Sequence, residues 1–269
     1  MIILGSAKTF HSLHHQSTVL RLPNAWDAGS ARLFESLGAT AIATTSAGVA
    51  WAQGYADGRL FPIESAVSVA ASIARLIKVP LSVDLENGYS DDPLAVAEHV
   101  KRVLDVGAVG INIEDGTDAP ELLARKIEAI KSMAARDGLD VFVNARTDVY
   151  LAGLVADEMR VEETLKRGRL YQQAGADGLF VAALVDIEQI KTVVAGVGLP
   201  INLLARQGLP DAEALAQLGV RRLSAGSSIA QTLWGQAEQL ARGFLQDGRS
   251  EAVIETSLAY PQIQALFGR

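Results

Sequence analysis

The chain has 269 residues, a formal net charge of −7, a hydrophobic fraction of 49% and no cysteine. The acidic balance disfavours nonspecific binding to nucleic acid, which needs clustered positive charge. The lack of cysteine excludes disulfides, thiolate metal sites and a cysteine nucleophile. No apolar run approaches the roughly 20 residues that span a bilayer, and the N-terminus does not have the order of regions of a secretory signal. We therefore expect a globular cytoplasmic protein without a membrane segment.

Short apolar segments alternate with amphipathic stretches along the chain. Strands are predicted at eight places: 19–22, 41–45, 81–84, 110–114, 141–145, 178–182, 200–204 and 222–225. Helices are predicted between them at 28–37, 64–77, 93–105, 119–135, 158–174, 187–194 and 211–218, where apolar residues recur every three or four positions. Eight strictly alternating units favour a parallel (β/α)8 TIM barrel over an open doubly wound sheet.

The remainder of the chain, residues 228–269, is predicted to form a C-terminal helical segment. It contains predicted helices at 229–245 and 251–259, and no low-complexity linker separates it from the barrel. We therefore predict one domain covering residues 1–269.

Acidic residues stand at the ends of two neighbouring predicted strands. Asp84 and Glu86 are two positions apart, so their side chains project to the same side of an extended chain, and Glu114 ends the next strand. Active sites of such barrels lie at this face. Three converging carboxylates would repel one another unless a cation held them ionised, and Mg2+ is the ion that prefers such oxygen ligands, with Mn2+ as an alternative. The competing interpretation is that these are solvated loop acids.

Arg146 and the segment 46–48 are the candidate binders of an anionic substrate. The planar guanidinium of Arg146 can hold a carboxylate or an enolate oxygen, unless it serves only as an ion-pair partner of Asp148 or Glu114. Backbone N–H groups of Ser46, Ala47 and Gly48 would form a nest for a carboxylate. An ordinary turn between strand and helix would have the same sequence.

Together these segments resemble the isocitrate lyase and phosphoenolpyruvate mutase superfamily. The similarity covers strands one to five and consists of Pro23-Asn24-Ala25-Trp26-Asp27-Ala28-Gly29-Ser30-Ala31, Thr45-Ser46-Ala47-Gly48, Asp84-Leu85-Glu86-Asn87-Gly88-Tyr89, Gly110-Ile111-Asn112-Ile113-Glu114-Asp115 and Asn144-Ala145-Arg146-Thr147-Asp148.

This resemblance implies a set of roles for the matching residues. It implies Mg2+ bound by Asp84, with Glu86 and Glu114 holding it mostly through water. A substrate carboxylate would lie on Ser46, Ala47 and Gly48, the 2-oxo or enolate oxygen on Arg146, Trp26 in the pocket wall, and Asp57 near the metal. It also implies a homo-oligomer, a dimer or a tetramer, with C-terminal helices swapped between barrels.

Two departures from the family pattern restrict the reaction. Lyases of isocitrate and methylisocitrate carry a Lys-x-Cys-Gly loop after strand four, whereas this chain passes from Gly116 through Ala119-Pro120 into the helix that contains Lys126. Strand six, with Phe180 followed by Val181-Ala182, does not have the His-x-Ser pattern of the mutase branch. Neither lyase chemistry that needs this cysteine nor P–C bond chemistry is therefore expected.

Chemistry that needs only a metal-stabilised enolate is compatible with the remaining residues. Decarboxylation of an oxaloacetate-type 2-oxo acid is the first expectation. Retro-aldol cleavage of a 2-hydroxy dicarboxylate is the second and needs a base. No residue is unambiguous in this role: Tyr89 and Glu114 are the candidates, and the competing interpretation of each is a core residue or one that supports the site from behind. A noncatalytic 2-oxo acid binder is the third. The histidines at 11, 14, 15 and 99 fall outside the strand ends and are expected at surface or helix positions.

Overall fold

All strands that the structure describes belong to one parallel sheet. The computed structural model describes residues 2–58 and 61–268. The strands are β1 Leu20–Leu22, β2 Asn24–Ala25, β3 Ile42–Thr44, β4 Leu81–Asp84, β5 Gly110–Glu114, β6 Phe142–Thr147, β7 Gly178–Val181, β8 Ile201–Leu204 and β9 Arg222–Ser224. Their order in the sheet is β1-β9-β8-β7-β6-β5-β4-β3-β2, with every pair parallel. The predicted TIM-barrel fold is thereby confirmed.

The structure has nine strands where eight were predicted because the first barrel strand is interrupted. Proline has no backbone N–H and cannot continue a ladder, and Pro23 separates β1, which pairs with β9, from β2, which pairs with β3. Asn24 joins the two neighbouring strands at this point. Its amide nitrogen donates to the carbonyl of Thr44 at 2.8 Å, and its amide oxygen accepts from the N–H of Gly226 at 2.8 Å.

Helices surround the barrel in the predicted alternation. They are α1 Ile2–Leu13, α2 Ala28–Ser36, α3 Ser46–Ala52, α4 Ile63–Ala74, α5 Pro93–Asp105, α6 Pro120–Asp137, α7 Arg160–Ala174, α8 Ile187–Gly196, α9 Ala212–Gln217, α10 Ser228–Asp247, α11 Glu251–Ile254 and α12 Tyr260–Phe267. A π-helical turn, Val149–Gly153, and a 3-10 turn, Asp157–Met159, precede α7. Among the described residues, no helix is long and apolar enough to cross a bilayer.

Helix α1, which was not predicted, packs against the amino-terminal end of the barrel. Its Phe10 is fully buried in a cluster that includes Leu20, Val109 and Phe142, near the starts of three strands. His14 follows this helix and is 1% exposed, so its expected surface or helix position is wrong. The imidazole stacks on Phe142 at 3.9 Å between ring centroids, and its Nδ1 lies 2.8 Å from the carbonyl of Phe10.

The burial of His14 predicts a loss of stability in acid. Burial lowers the pKa of His14 from 6.5 to about 3, so between these values the unfolded chain binds a proton that the folded chain does not. The contribution of His14 to the free energy of unfolding is therefore fully present above pH 6.5. It is lost as the pH decreases below this value, which lowers the free energy of unfolding by about 2 kcal/mol at pH 5. Chemical denaturation at pH 7 and pH 5 should show this difference in the wild type. It should be absent in His14→Phe and retained in His15→Asn, a control at an exposed position; equal pH dependence in both variants would contradict the assignment.

The C-terminal segment differs from its prediction. The helix predicted at 251–259 is only one turn, α11, and a separate helix α12 begins at Tyr260. Helix α10 was predicted almost to its ends, but only its first turn, at Ala230, is buried. Helix α12 returns to the same chain, where the Nε of Arg32 on α2 donates to the carbonyl of Leu266 at 2.8 Å.

Candidate functional site

Asp84 lies at the carboxyl end of β4, in contact with the first turn of α3. Its Oδ2 accepts hydrogen bonds from the hydroxyl of Ser46 at 3.0 Å and from the N–H of Ser46 at 3.2 Å. Its own N–H donates to Oγ1 of Thr44 at 2.9 Å. Its Oδ1 is buried and has no hydrogen-bond partner. An unpaired carboxylate oxygen of this kind is costly unless a ligand occupies it.

The segment from Ser46 to Gly48 is the first turn of a helix rather than an irregular turn. Thr45 is the N-cap residue of α3, and its Oγ1 lies 3.4 Å from the N–H of Gly48. A Cβ atom on Gly48 would lie 2.7 Å from Cγ2 of Thr45 and 3.1 Å from Cβ of Trp26. Glycine is therefore required by this close packing. Ala47 lies in the same turn and is buried, and half-buried Trp26 packs edge-on against Phe34.

The loop after β4 is held in a strained conformation. Glu86 and Tyr89 have positive φ angles of 50° and 58°, which L-residues rarely adopt outside functional sites. Two helices fix this loop: Nζ of Lys126 donates to the carbonyl of Asn87 at 2.9 Å, and Nδ1 of His99 lies 2.9 Å from the carbonyl of Gly88. The side chain of Glu86 is buried. Lys126 therefore supports the loop from within α6, where the sequence placed it.

Arg146 lies between two carboxylates at the ends of β5 and β6. Its Nε and Nη2 donate to the two oxygens of Asp148 at 2.7 and 2.9 Å, and its Nη1 is 2.6 Å from Oε2 of Glu114. These contacts occupy three of the five N–H groups of a guanidinium, so two are not used by Asp148 or Glu114. Both ion pairs considered from the sequence are present, and they orient the group without exhausting its donors.

Burial has opposite effects on the two partners of this ion pair. The pKa of Glu114 is raised to about 8, first by burial and then by the charges of Asp84 and Asp148, against the lowering effect of Arg146. Burial alone would lower the pKa of Arg146, but Glu114 and Asp148 raise it, so the guanidinium stays charged. Glu114 can therefore hold or release a proton near neutral pH.

Asp57 lies in the loop after α3, and its side chain is exposed. Partial burial and the negative charge of Asp84 raise the pKa of Asp57, whereas Arg146 lowers it. The carboxyl group is thus within electrostatic reach of the site from its solvent side.

The part of the barrel rim next to Arg146, on β7 and β8, carries apolar residues and is called the apolar wall below. Phe180 on β7 pairs in register with Arg146, and the Arg146 guanidinium lies 5.8 Å from the centroid of its ring. By the two-residue alternation of strands, Leu204 at the end of β8 continues this inward face above Asn202, the in-register neighbour of Phe180. The charged groups are therefore concentrated on β4, β5 and β6, and the β7 and β8 side offers hydrocarbon.

A second buried arginine lies beneath the rim and was not predicted. Arg222 on β9 is fully buried in the barrel interior, where its Nη2 donates to Oδ1 of Asn112 at 3.0 Å. Burial lowers the pKa of Arg222 to about 9, and the charge of Asp84 acts against this shift. No sequence pattern distinguishes this inward-facing arginine from an exposed one at the edge of a strand.

The donor set at the rim fits a hard cation held directly by Asp84. The buried Oδ1 of Asp84 is available, and carboxylate oxygen is the ligand that Mg2+ prefers. Within residues 2–58 and 61–268, no three acidic or histidine side chains are close enough together to ligate one ion jointly. Asp84 would hold such an ion directly and Glu86 and Glu114 would hold it through water, since Mg2+ sites commonly retain several waters.

A parallel barrel with carboxylates and an oriented arginine at the carboxyl ends of adjacent strands has the architecture of a (β/α)8 enzyme. The family model of phosphoenolpyruvate phosphomutase matches residues 10–245. The chain belongs to this family, within the phosphoenolpyruvate mutase and isocitrate lyase superfamily, as the sequence motifs indicated. Superfamily members are lyases or mutases, which supports an enzyme here.

Three relatives show the extent of the similarity. An uncharacterized protein of Mycobacterium tuberculosis is 38% identical over 261 residues, covering 96% of this chain and 95% of the relative. An oxaloacetate decarboxylase of Pseudomonas fluorescens is 30% identical over 231 residues, covering 81% of this chain and 78% of the relative. The crystal structure of a candidate lyase/mutase of Burkholderia cenocepacia superimposes with a TM-score of 0.91 at 31% identity, covering 100% of this chain and 97% of that one.

Proposed function

We propose that the protein is a Mg2+-dependent enzyme that acts on small 2-oxo carboxylates through an enolate, and that its reaction is decarboxylation of oxaloacetate or a close analogue. Two features at the same end of the barrel carry this proposal. Asp84 has a buried Oδ1 without a hydrogen-bond partner, and Arg146 has two N–H groups that Asp148 and Glu114 do not use. The similarity to an oxaloacetate decarboxylase across most of both chains supports it.

The residues of the site have complementary parts in this reaction. Bound Mg2+ would polarise the 2-oxo acid and offset its negative charge. The C1 carboxylate would lie on the first turn of α3, where Ala47 would donate its backbone N–H. The N–H groups of Ser46 and Gly48 already donate to Asp84 and to Thr45, so they would reach the substrate only by exchanging these bonds. The two remaining N–H groups of Arg146 would hold the oxygen on which negative charge develops, an interaction that stabilises the transition state more than the ground state.

The apolar wall fits the other end of the substrate. When the bond between C3 and C4 breaks, the C4 carboxylate becomes uncharged CO2, so a hydrocarbon surface at Phe180 and Leu204 disfavours the reactant more than the product. No nucleophile from the protein is needed, because the enolate oxygen takes up the electron pair of the broken bond. Protonation at C3 then gives the 2-oxo product.

The second candidate is a carbon–carbon lyase acting on a 2-hydroxy dicarboxylate. The position of Glu114 at the end of β5, with its Oε2 2.6 Å from Nη1 of Arg146, favours it as the base that this reaction needs. Tyr89 is less suitable, because burial and the neighbouring Glu86 raise the pKa of its hydroxyl, which stays protonated.

A substrate panel separates the candidates. Purified protein with Mg2+ would be incubated with oxaloacetate, with unsubstituted and 2-methyl or 3-methyl 2-hydroxy dicarboxylates, and with 2-oxoglutarate, and the products followed by NMR. We expect pyruvate from oxaloacetate above the rate of Mg2+ alone. Cleavage of a 2-hydroxy dicarboxylate instead would establish the lyase, and tight binding of 2-oxo acids without any product would establish a binder.

We also propose that the protein is a homo-oligomer formed through α10. This helix exposes Trp234, Phe244 and Leu245, which is unusual for apolar residues of this size on one helix. A groove of about 630 Å³ lies beside its first turn, between α2 and the segment that contains Val19. A helix from a second copy would cover such a groove, as in the helix exchange that the family resemblance implies.

Trp234→Glu should therefore reduce the size of the assembly, because a charge would be buried in the apolar contact. Light scattering after size-exclusion chromatography measures this directly. Leu94→Glu, at an exposed apolar position on α5, is the matched control and should leave the mass unchanged. A monomeric wild type, or an unchanged mass for Trp234→Glu, would refute this interface.

A further inference from the structure

A buried polar cluster lies behind Arg146, between the barrel and α7. Asp115, which is 1% exposed, is its centre. Its Oδ2 accepts from the hydroxyl of Tyr171 at 2.5 Å and from Nη1 of Arg167 at 2.9 Å. Arg167 is in turn held by Glu163 one helical turn earlier, with Nε 2.7 Å from Oε1.

The same carboxylate contacts the segment that carries the substrate-binding arginine. Its Oδ1 accepts from the backbone N–H of Asp148 at 2.9 Å, and the N–H of Asp115 donates to the carbonyl of Arg146 at 3.2 Å. Asp148 then holds the guanidinium of Arg146 through two hydrogen bonds. A continuous path of bonds therefore runs from α7 through Asp115 and Asp148 to Arg146.

Each group in this path is fixed either as a hydrogen-bond donor or as an acceptor. Burial and the charge of Asp115 raise the pKa of Tyr171, so its hydroxyl keeps its proton and donates. Two donors on one carboxylate oxygen, with a backbone N–H on the other, fix the plane of the Asp115 carboxylate. Buried networks with every member satisfied are rigid.

We infer that Asp115, Arg167 and Tyr171 form a positioning cluster that sets the orientation of Arg146 through Asp148. None of the three faces the pocket as a binding group, so each acts through another residue. The functional part of this inference rests on the proposed role of Arg146 in holding the enolate oxygen. A small rotation of a catalytic group is enough to cost about 10- to 100-fold in rate.

Three variants test the inference. Tyr171→Phe removes one hydrogen bond and keeps the ring, and Arg167→Met removes the charged donor. Arg169→Met is the matched control on the same helix, because Arg169 is exposed and contacts only the carbonyl of Gly196 among the bonds described. With oxaloacetate as substrate, we expect kcat to fall about tenfold for Tyr171→Phe and further for Arg167→Met, with Mn2+ affinity measured by EPR unchanged. Arg169→Met should match the wild type.

Crystal structures of the variants give a readout that does not depend on activity. We expect the double contact between Arg146 and Asp148 to be lost or displaced in Arg167→Met and kept in Arg169→Met. A cluster that only stabilises the fold would lower the melting temperature but leave kcat and this contact unchanged, which would overturn the inference. If Arg167→Met does not fold, Tyr171→Phe carries the test. If the wild type does not turn over oxaloacetate, the proposed function fails, and the crystallographic contact still decides the positioning role.

Discussion

Replacing Asp84 by alanine is expected to reduce Mg2+-dependent turnover of oxaloacetate by about 1000-fold or more. The variant loses a buried carboxylate oxygen, Oδ1, that has no hydrogen-bond partner among the described residues, and with it several kcal/mol of charge stabilisation at the transition state. The fold should persist because Asp84 lies at a strand end and its side chain contacts only Ser46 among the hydrogen bonds described.

Initial rates across a range of Mg2+ concentrations measure this effect, and circular dichroism checks the fold. Asp105→Ala, which removes a surface ion pair with Lys101, should behave as the wild type in both measurements. If Asp84→Ala keeps its Mg2+-dependent rate, the ion is held elsewhere and the proposed metal site is wrong.

The second large effect is expected for Arg146→Lys. Lysine keeps the positive charge but cannot bond Asp148 through two nitrogens and also present N–H groups to a substrate. We expect kcat/KM to fall about 100-fold, in the range found when an oriented donor to a developing oxyanion is removed. Mn2+ binding should change little, because Arg146 would contribute to the substrate rather than to the metal.

This variant also separates the two interpretations of Arg146 that the sequence left open. An arginine that serves only as an ion-pair partner of Asp148 and Glu114 would show a lower melting temperature and an almost unchanged kcat/KM. If activity is lost while metal binding is retained, Arg146 has the substrate-binding role.

The barrel and its acidic rim were predictable because they depend on local patterns. Strand ends such as 81–84 and 110–114 are marked by the change from apolar to acidic residues, and parallel strands place those ends on one face. The helix at 93–105 was predicted to the residue because Pro93 at its start and regular apolar spacing define it. The roles assigned to the rim residues are still predictions.

Features that depend on contacts between distant residues were not predictable. Asp115 meets Tyr171 across 56 positions of sequence, and the only local signal was the four-residue spacing of Arg167 and Tyr171, which places both on one face of a helix. The burial of His14 depends on Phe142 from another part of the barrel. The short helix α3 begins at a strand end, where Thr45 as N-cap was the available signal.

The most direct test of the proposed function is the appearance of pyruvate from oxaloacetate as Mg2+ is added back to protein treated with a chelator. Protein-free Mg2+ at each concentration corrects for the reaction in solution. The proposed site predicts no activity without the ion and a saturable increase with it, lost in Asp84→Ala. Pyruvate formation that is independent of Mg2+, or equal to the protein-free rate at every concentration, would contradict it.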